Sequence, residues 1–170
     1  MSTRPPSVLR LIEKQPARGD QHPVPFGSLE SAIRSLPPHY LAGLKSIELC
    51  ARTGKIGRPF ALYGELDRVI LLYSLPLVWR LKSIGPAVLH SLRSGGARIQ
   101  THRVDRNRSN ATVYWSPKQL ESWYRAYVLA HELGHHAAAR TAQSRRISPT
   151  DAYHEAAAER HARRIREALR

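Results

Sequence analysis

Residues 128–136 read Val-Leu-Ala-His-Glu-Leu-Gly-His-His, and no other stretch constrains the fold as strongly. Val128, Leu129, Ala130 and Leu133 surround the polar residues, as in a helix buried in a core. On such a helix His131 and His135, four residues apart, stand one above the other on the same face. Both imidazoles then reach one metal ion, and Glu132 beside them is placed to take a proton from water on that metal. A solvated helix could carry this spacing by chance. The apolar setting argues against that, because titratable groups are seldom placed in a core without a partner.

A tetrahedral catalytic zinc site takes three protein ligands and keeps a fourth position open, so two histidines need a third partner. Residues 148–169 predict a second helix: Ser148 suits the N-cap, Pro149 the first helical position and Asp151 the first turn. Ala158, Ala162, Ile165 and Leu169 form an apolar stripe at three- and four-residue steps, and Glu155 and Glu159 fall on that stripe. Arg160, Arg163 and Arg164 fall on the opposite, solvated face. Carboxylates on a core-facing side need a positive partner, and a zinc ion with its histidines provides one. Glu155 is therefore the expected third ligand. Glu159, one turn on, is expected to hydrogen-bond a ligating histidine.

With these residues the chain resembles the gluzincin zinc metallopeptidases, in which a His-Glu-x-x-His helix is followed by a helix whose glutamate completes the zinc site. His131, Glu132, His135, Glu155 and Glu159 match that pattern. The stretch Glu155-x-x-Ala158-x-x-x-Ala162 is similar to the signature of ImmA/IrrE-type peptidases, departing from it at His161, where that family has an aromatic residue. The resemblance spans about residues 110–165. It implies an α+β fold: a minimal metallopeptidase domain with a few-stranded sheet packed on the active-site helix and a C-terminal helix bearing the glutamate. It also implies that the strand before the active-site helix, here Asn110–Trp115, edges the substrate cleft, although an ordinary internal strand fits the same residues.

At 170 residues the chain has the size of one domain. Residues 1–26 hold five of the 12 prolines and little periodicity, so they predict a flexible tail, disordered or draped over the domain, before a metallopeptidase domain over 27–170. A short helix is expected near 28–36, a short turn or helix at 38–44, a strand near 45–52, and a hairpin of 60–63 with 68–73 around Gly64-Glu-Leu-Asp. Residues 77–93 are read as mainly helical, divided at Gly85-Pro86, with strands following at 97–104 and 110–115. Ser116-Pro-Lys-Gln119 is a capping box that starts the next helix.

The single cysteine, Cys50, cannot form an intramolecular disulfide and reads as a buried structural thiol. With no apolar leader and no stretch apolar enough to span a bilayer, the expectation is a cytoplasmic protein without a membrane partner. The net charge of +14 comes from 27 basic residues, 22 of them arginine, against 13 acidic ones. Such a balance favours acidic partners, and non-specific nucleic-acid binding through a basic surface is one expectation. No helix-turn-helix, zinc-finger or RNA-recognition signature accompanies it.

The favoured expectation is a zinc-dependent peptidase acting on a protein or peptide, with Glu132 as general base. Tyr153, His154 and His161 are candidate oxyanion donors by their proximity to Glu155. Two alternatives stand beside it. One is a nucleic-acid-associated zinc protein, SprT-like or regulatory. The other is a non-catalytic zinc-binding module, which would have no need of Glu132.

Overall fold

The computed structural model describes residues 9–52, 60–103, 108–145 and 151–169. The fold is α+β, as the sequence implied. Its first sheet centres on β2 (Ser46–Cys50), whose residues are buried almost without interruption. A strand flanked on both sides by parallel neighbours has this character. On one side β2 pairs in parallel with β1 (Arg10–Glu13), and on the other with β4 (Val69–Tyr73). β3 (Ala61–Gly64) pairs antiparallel to β4 and ends the sheet, giving the order β1-β2-β4-β3. The turn between β3 and β4 places Arg68 at φ 55°, the left-handed region that a tight reversal needs.

The described part of the expected N-terminal tail is built into this sheet, which corrects that expectation. β1 supplies an edge strand, Val24 is fully buried, and Gln21 bridges Leu75. Prolines 16, 23 and 25 flank these contacts without interrupting β1, because the run from Leu9 to Lys14 contains none. Residues 1–8 lie outside the described residues.

Two helices connect β1 to β2. α1 (Phe26–Ser35) buries Leu29, Ala32 and Ile33, one face at three- and four-residue spacing, and stops before Pro37. α2 (Pro38–Leu41) begins on a proline whose missing N–H costs a helix nothing at that position.

The second sheet corrects the helical expectation for 77–93. β5 (Val78–Ile84) is a strand, and only α3 (Pro86–Ser94) is helical. Trp79 and Leu81 alternate inward while Val78, Arg80 and Lys82 point out, a two-residue period. Gly85-Pro86 is the junction between strand and helix rather than a break within one helix. β6 (Arg98–Arg103) and β7 (Ser109–Tyr114) complete the sheet in the antiparallel order β5-β7-β6. Asn110–Trp115 therefore belongs mainly to a central strand, not a cleft edge.

α4 (Pro117–Trp123) opens with the expected capping box: Ser116 Oγ accepts from Gln119 N–H, and the Gln119 side chain accepts from Ser116 N–H. The chain then continues without interruption through a π-helical segment, Tyr124–Leu129, into α5 (Ala130–Arg145). α6 (Asp151–Ala168) packs across α5. The proposed N-cap, Ser148-Pro149, lies outside the described residues. Phe60, Trp79, Trp115 and Trp123 cluster in the core, with ring centroids 5.1 Å apart for Phe60 and Trp79 and 5.3 Å for Trp115 and Trp123. Cys50 is buried, and burial pushes its thiol pKa up. No helix among the described residues is long and apolar enough to cross a membrane.

Candidate metal centre

α5 presents His131 and His135 on one face, and α6 brings Glu155 across to meet them. The two Nε2 atoms lie 3.0 Å apart, His131 Nε2 lies 3.7 Å from Glu155 Oε2, and His135 Nε2 lies 3.4 Å from Glu155 Oε1. These separations can be tested against a metal. Ligand atoms about 2.0–2.1 Å from one tetrahedral ion sit roughly 3.3–3.4 Å from each other, and the three observed distances bracket that value. The donor set fits: two neutral imidazoles and a carboxylate suit a divalent transition metal. His131, His135 and Glu155 are thus a group able to hold a metal ion. The His135 pKa is lowered, first by burial and then by His131, against the pull of Glu155. This keeps the ring in the neutral form that ligation requires.

Glu155 reaches this point from an exposed position, its side chain 62% accessible, so it is not on the buried stripe that the sequence suggested. The buried stripe is Ala158, Ala162, Ile165 and Leu169, and Glu155 flanks it at the lip of the cleft. The close approach of α6 depends on Gly134. A Cβ there would lie 2.3 Å from the Ala158 carbonyl oxygen, so the backbones touch where any side chain would part them.

Glu159 also faces the site, but its Oε2 is 4.0 Å from His131 Nδ1, beyond hydrogen-bond distance. Its other oxygen is held by Arg166 in a close ion pair, with Arg163 3.8 Å away. The expected Glu159–histidine hydrogen bond is therefore replaced by an arginine clamp on the carboxylate.

Glu132 stands next to His131 but turns toward β3, where its carboxylate accepts a hydrogen bond from the Tyr63 backbone N–H. The strand pairing explains why that N–H is available. Tyr73 N–H donates to the Phe60 carbonyl at 3.1 Å, and alternation along an antiparallel pair then turns the N–H and C=O of Ala61 and Tyr63 to the open edge. Burial pushes the Glu132 pKa up to about 7, opposed by that hydrogen bond and assisted by the nearby Glu155 charge. A carboxyl group titrating there is suited to acid–base work near neutrality.

His136, the next histidine, is no part of the donor set. It is fully buried, with Nδ1 3.1 Å from Tyr63 Oη and Nε2 3.1 Å from the Ala42 carbonyl. A carbonyl only accepts, so Nε2 carries the proton and Nδ1 accepts from the tyrosine hydroxyl. Through His136, α5 is fastened both to the segment after α2 and to the strand that holds Glu132. Tyr124 makes a second fastening. Its hydroxyl donates to the Phe60 carbonyl and accepts from Tyr73 N–H at 3.1 Å, so the π-helical segment is anchored to β3 and β4 directly before the histidines. A π-turn at this point fits the frequent placement of such turns at functional sites.

The donors line a cleft of about 520 Å³ whose opposite wall is Ala61, Leu62, Tyr63 and Glu65 of β3 and its turn. Leu62 is 47% exposed beside it. The strand at the cleft is thus β3, not the Asn110–Trp115 segment. Among the three candidate oxyanion donors, His154 lines this cleft. His161 lies elsewhere, in a separate concavity with His39, Arg140 and Arg164, which removes it as an oxyanion donor here. The Tyr153 side chain lies outside the described residues. Sequence reasoning expects β3 as half of a hairpin but not its place, or that of Tyr63, at the site, because no local spacing links residue 63 to residue 132; only the sheet edge brings them together. No protein-family model, no curated protein and no solved structure matches the chain.

Proposed function

We propose that the protein is a zinc-dependent peptidase of gluzincin type, acting on a protein or peptide in the reducing interior of a cell. One observation carries this reading: the His131, His135 and Glu155 group able to hold a metal ion opens, beside the largely buried carboxylate of Glu132, on a cleft with an open strand edge. A structural metal site has no use for Glu132 or for such a cleft. Zinc held by His131, His135 and Glu155 would supply a Lewis acid that polarises a peptide carbonyl and acidifies water at the site. Glu132 takes the proton of the attacking water and passes it to the leaving amine. The Tyr63 N–H holds Glu132 in the orientation this transfer needs, with Tyr63 itself fixed by His136. The outward N–H and C=O of Ala61 and the Tyr63 carbonyl present a strand edge to which an extended substrate can add. His154 is the remaining candidate to steady the oxyanion.

The test is metal content and cleavage measured together. Wild type should carry about one zinc per chain, as a single three-ligand site requires, and His131→Ala, His135→Ala and Glu155→Ala should each lose it. Glu132→Gln should keep the zinc and lose cleavage of a mixed peptide library, read by mass spectrometry, by a factor of about 10² or more. A zinc-loaded wild type whose cleavage pattern is identical to that of Glu132→Gln would sink the peptidase reading and favour a binding module.

A further inference from the structure

We propose that the concavity between α2, α5 and α6 is a binding site for a phosphate group, separate from the metal centre. It has a volume of about 330 Å³ and is lined by His39, Tyr40, Arg140, Thr141, His161 and Arg164. Arg140 follows His131 by nine residues, half a turn around α5, so this concavity opens on the other side of the helix.

The lining is cationic and carries no carboxylate. Elsewhere on the surface some arginines are compensated: Arg34, Arg52, Arg125, Arg163 and Arg166 each lie within ion-pair distance of an acidic side chain. Among the described residues, no acidic side chain lies within ion-pair distance of Arg140 or Arg164; the same holds for exposed arginines such as Arg80 and Arg93, and what sets Arg140 and Arg164 apart is that they line one concavity. Arg140 Nη1 instead donates to the His39 carbonyl at 2.7 Å, which fixes its guanidinium at the rim of the concavity. The crowding shows in the direction of the His161 pKa, which is lowered. After burial, Arg164, Arg160 and His39 all lower the His161 pKa, so these groups repel one another's charge. α5 and α6 thus bring two guanidinium groups to one concavity, with the histidines of α2 and α6 beside them, and a bound anion would offset the repulsion between those charges. Guanidinium forks supply paired donors matched to phosphate oxygens, and the tyrosine, threonine and histidine side chains add further polar groups. The volume suits a phosphate group with part of its carrier.

Two sources share this chemistry: a free phosphate or small phosphorylated molecule, and the phosphodiester of a nucleic acid. The experiment titrates inorganic phosphate, and separately a short duplex oligonucleotide, into the full chain in low-salt buffer. Three proteins are compared: wild type, R140Q/R164Q, and R80Q/R93Q, which removes the same charge from exposed arginines elsewhere. Wild type and R80Q/R93Q should bind phosphate saturably and alike, with R140Q/R164Q weaker by about tenfold or more. If the oligonucleotide shows the same selective loss, with or without saturable phosphate, the natural source is a phosphodiester; loss with phosphate alone indicates a small phosphorylated ligand. Equal behaviour of the two double variants toward both probes overturns the proposal, because net charge alone then accounts for binding. Should R140Q/R164Q melt at lower temperature, R164Q, altered only at an exposed side chain, decides with the same two probes. Chelation of the metal centre should leave the result unchanged, so this inference stands or falls apart from the peptidase reading.

Discussion

At the level of single residues, Glu132 carries opposing demands. Its carboxylate is largely buried, which favours the neutral acid, while the Tyr63 N–H favours the anion, and burial prevails with a pKa of about 7. An unfolded chain would ionise the same group near 4.5. Between these values the native state holds a proton that the unfolded state has released, so stability contributed by the neutral form falls as pH rises from about 4.5 through 7. Glu132→Gln stays neutral throughout. In metal-free protein, kept so with chelator, the stability of Glu132→Gln relative to wild type should therefore increase between pH 5 and pH 7.5, measured as guanidinium midpoints. A difference that stays constant with pH would show that Glu132 ionises alike in the native and unfolded states, and one that shrinks would show that the native site favours the ionised form; either overturns the burial argument. The residues of the site were largely legible beforehand for a local reason: His131, Glu132 and His135 lie within a turn and a half of one helix, where spacing dictates geometry. Glu155 was reachable because the second helix has its own period. Its exposure was not, because periodicity assigns a residue to a face but does not say how far a lip of cleft cuts into that face.

At the level of elements, the α5–α6 contact decides whether Glu155 meets the histidines at all. That contact turns on Gly134, which a helix would otherwise disfavour: alanine there gains about 1 kcal/mol of intrinsic helix propensity. The gain is outweighed, because the new Cβ would sit 2.3 Å from the Ala158 carbonyl oxygen and 3.2 Å from the Ala162 nitrogen. Both are backbone atoms that cannot rotate away. Gly134→Ala should lower stability by about 1–3 kcal/mol, the usual cost of overpacking, and weaken zinc binding in a competition with graded chelators as α6 is pushed from α5. Wild-type stability and zinc affinity in this variant would mean that the helices lie farther apart than described. The same scale shows where sequence reading failed. Residues 77–84 mix Leu77, Trp79 and Leu81 with Arg80 and Lys82 in a run too short for periodicity alone to separate strand from helix, and the deciding fact, Trp79 and Leu81 turned inward beside β7, is a tertiary one. β3 was read correctly as half of a hairpin, yet its role at the cleft depends on a sheet order that no local pattern encodes.

At the level of the whole molecule, residues 9–26 depart furthest from what their composition suggests. Prolines marked residues 1–26 as a tail, but proline density speaks only against internal strands and helices, not against a segment pinned by side chains. Asp20 does the pinning. Its side chain is 2% accessible, accepts from Arg52 Nε at 2.8 Å and Nη2 at 3.1 Å, and accepts from Ser74 Oγ at 3.2 Å. Ser74 Oγ in turn accepts from the backbone N–H groups of Ala17 and Arg52. One carboxylate thus ties the N-terminal segment to the residues that follow β2 and β4, next to the point where Gln21 bridges Leu75. In Asp20→Ala the Arg52 charge and the Ser74 hydroxyl would lose that acceptor. The cost should be about 2–3 kcal/mol, under the 3–5 typical of fully buried pairs because Arg52 remains partly exposed to water. His131, His135 and Glu155, the group able to hold a metal ion, sit on α5 and α6, which make none of these contacts, so metal content should remain at the wild-type level while the denaturation midpoint falls. An unchanged midpoint would mean that the segment is only draped on the sheet, and a loss of zinc at full stability would mean that it reaches the metal centre by a route other than the Asp20 network.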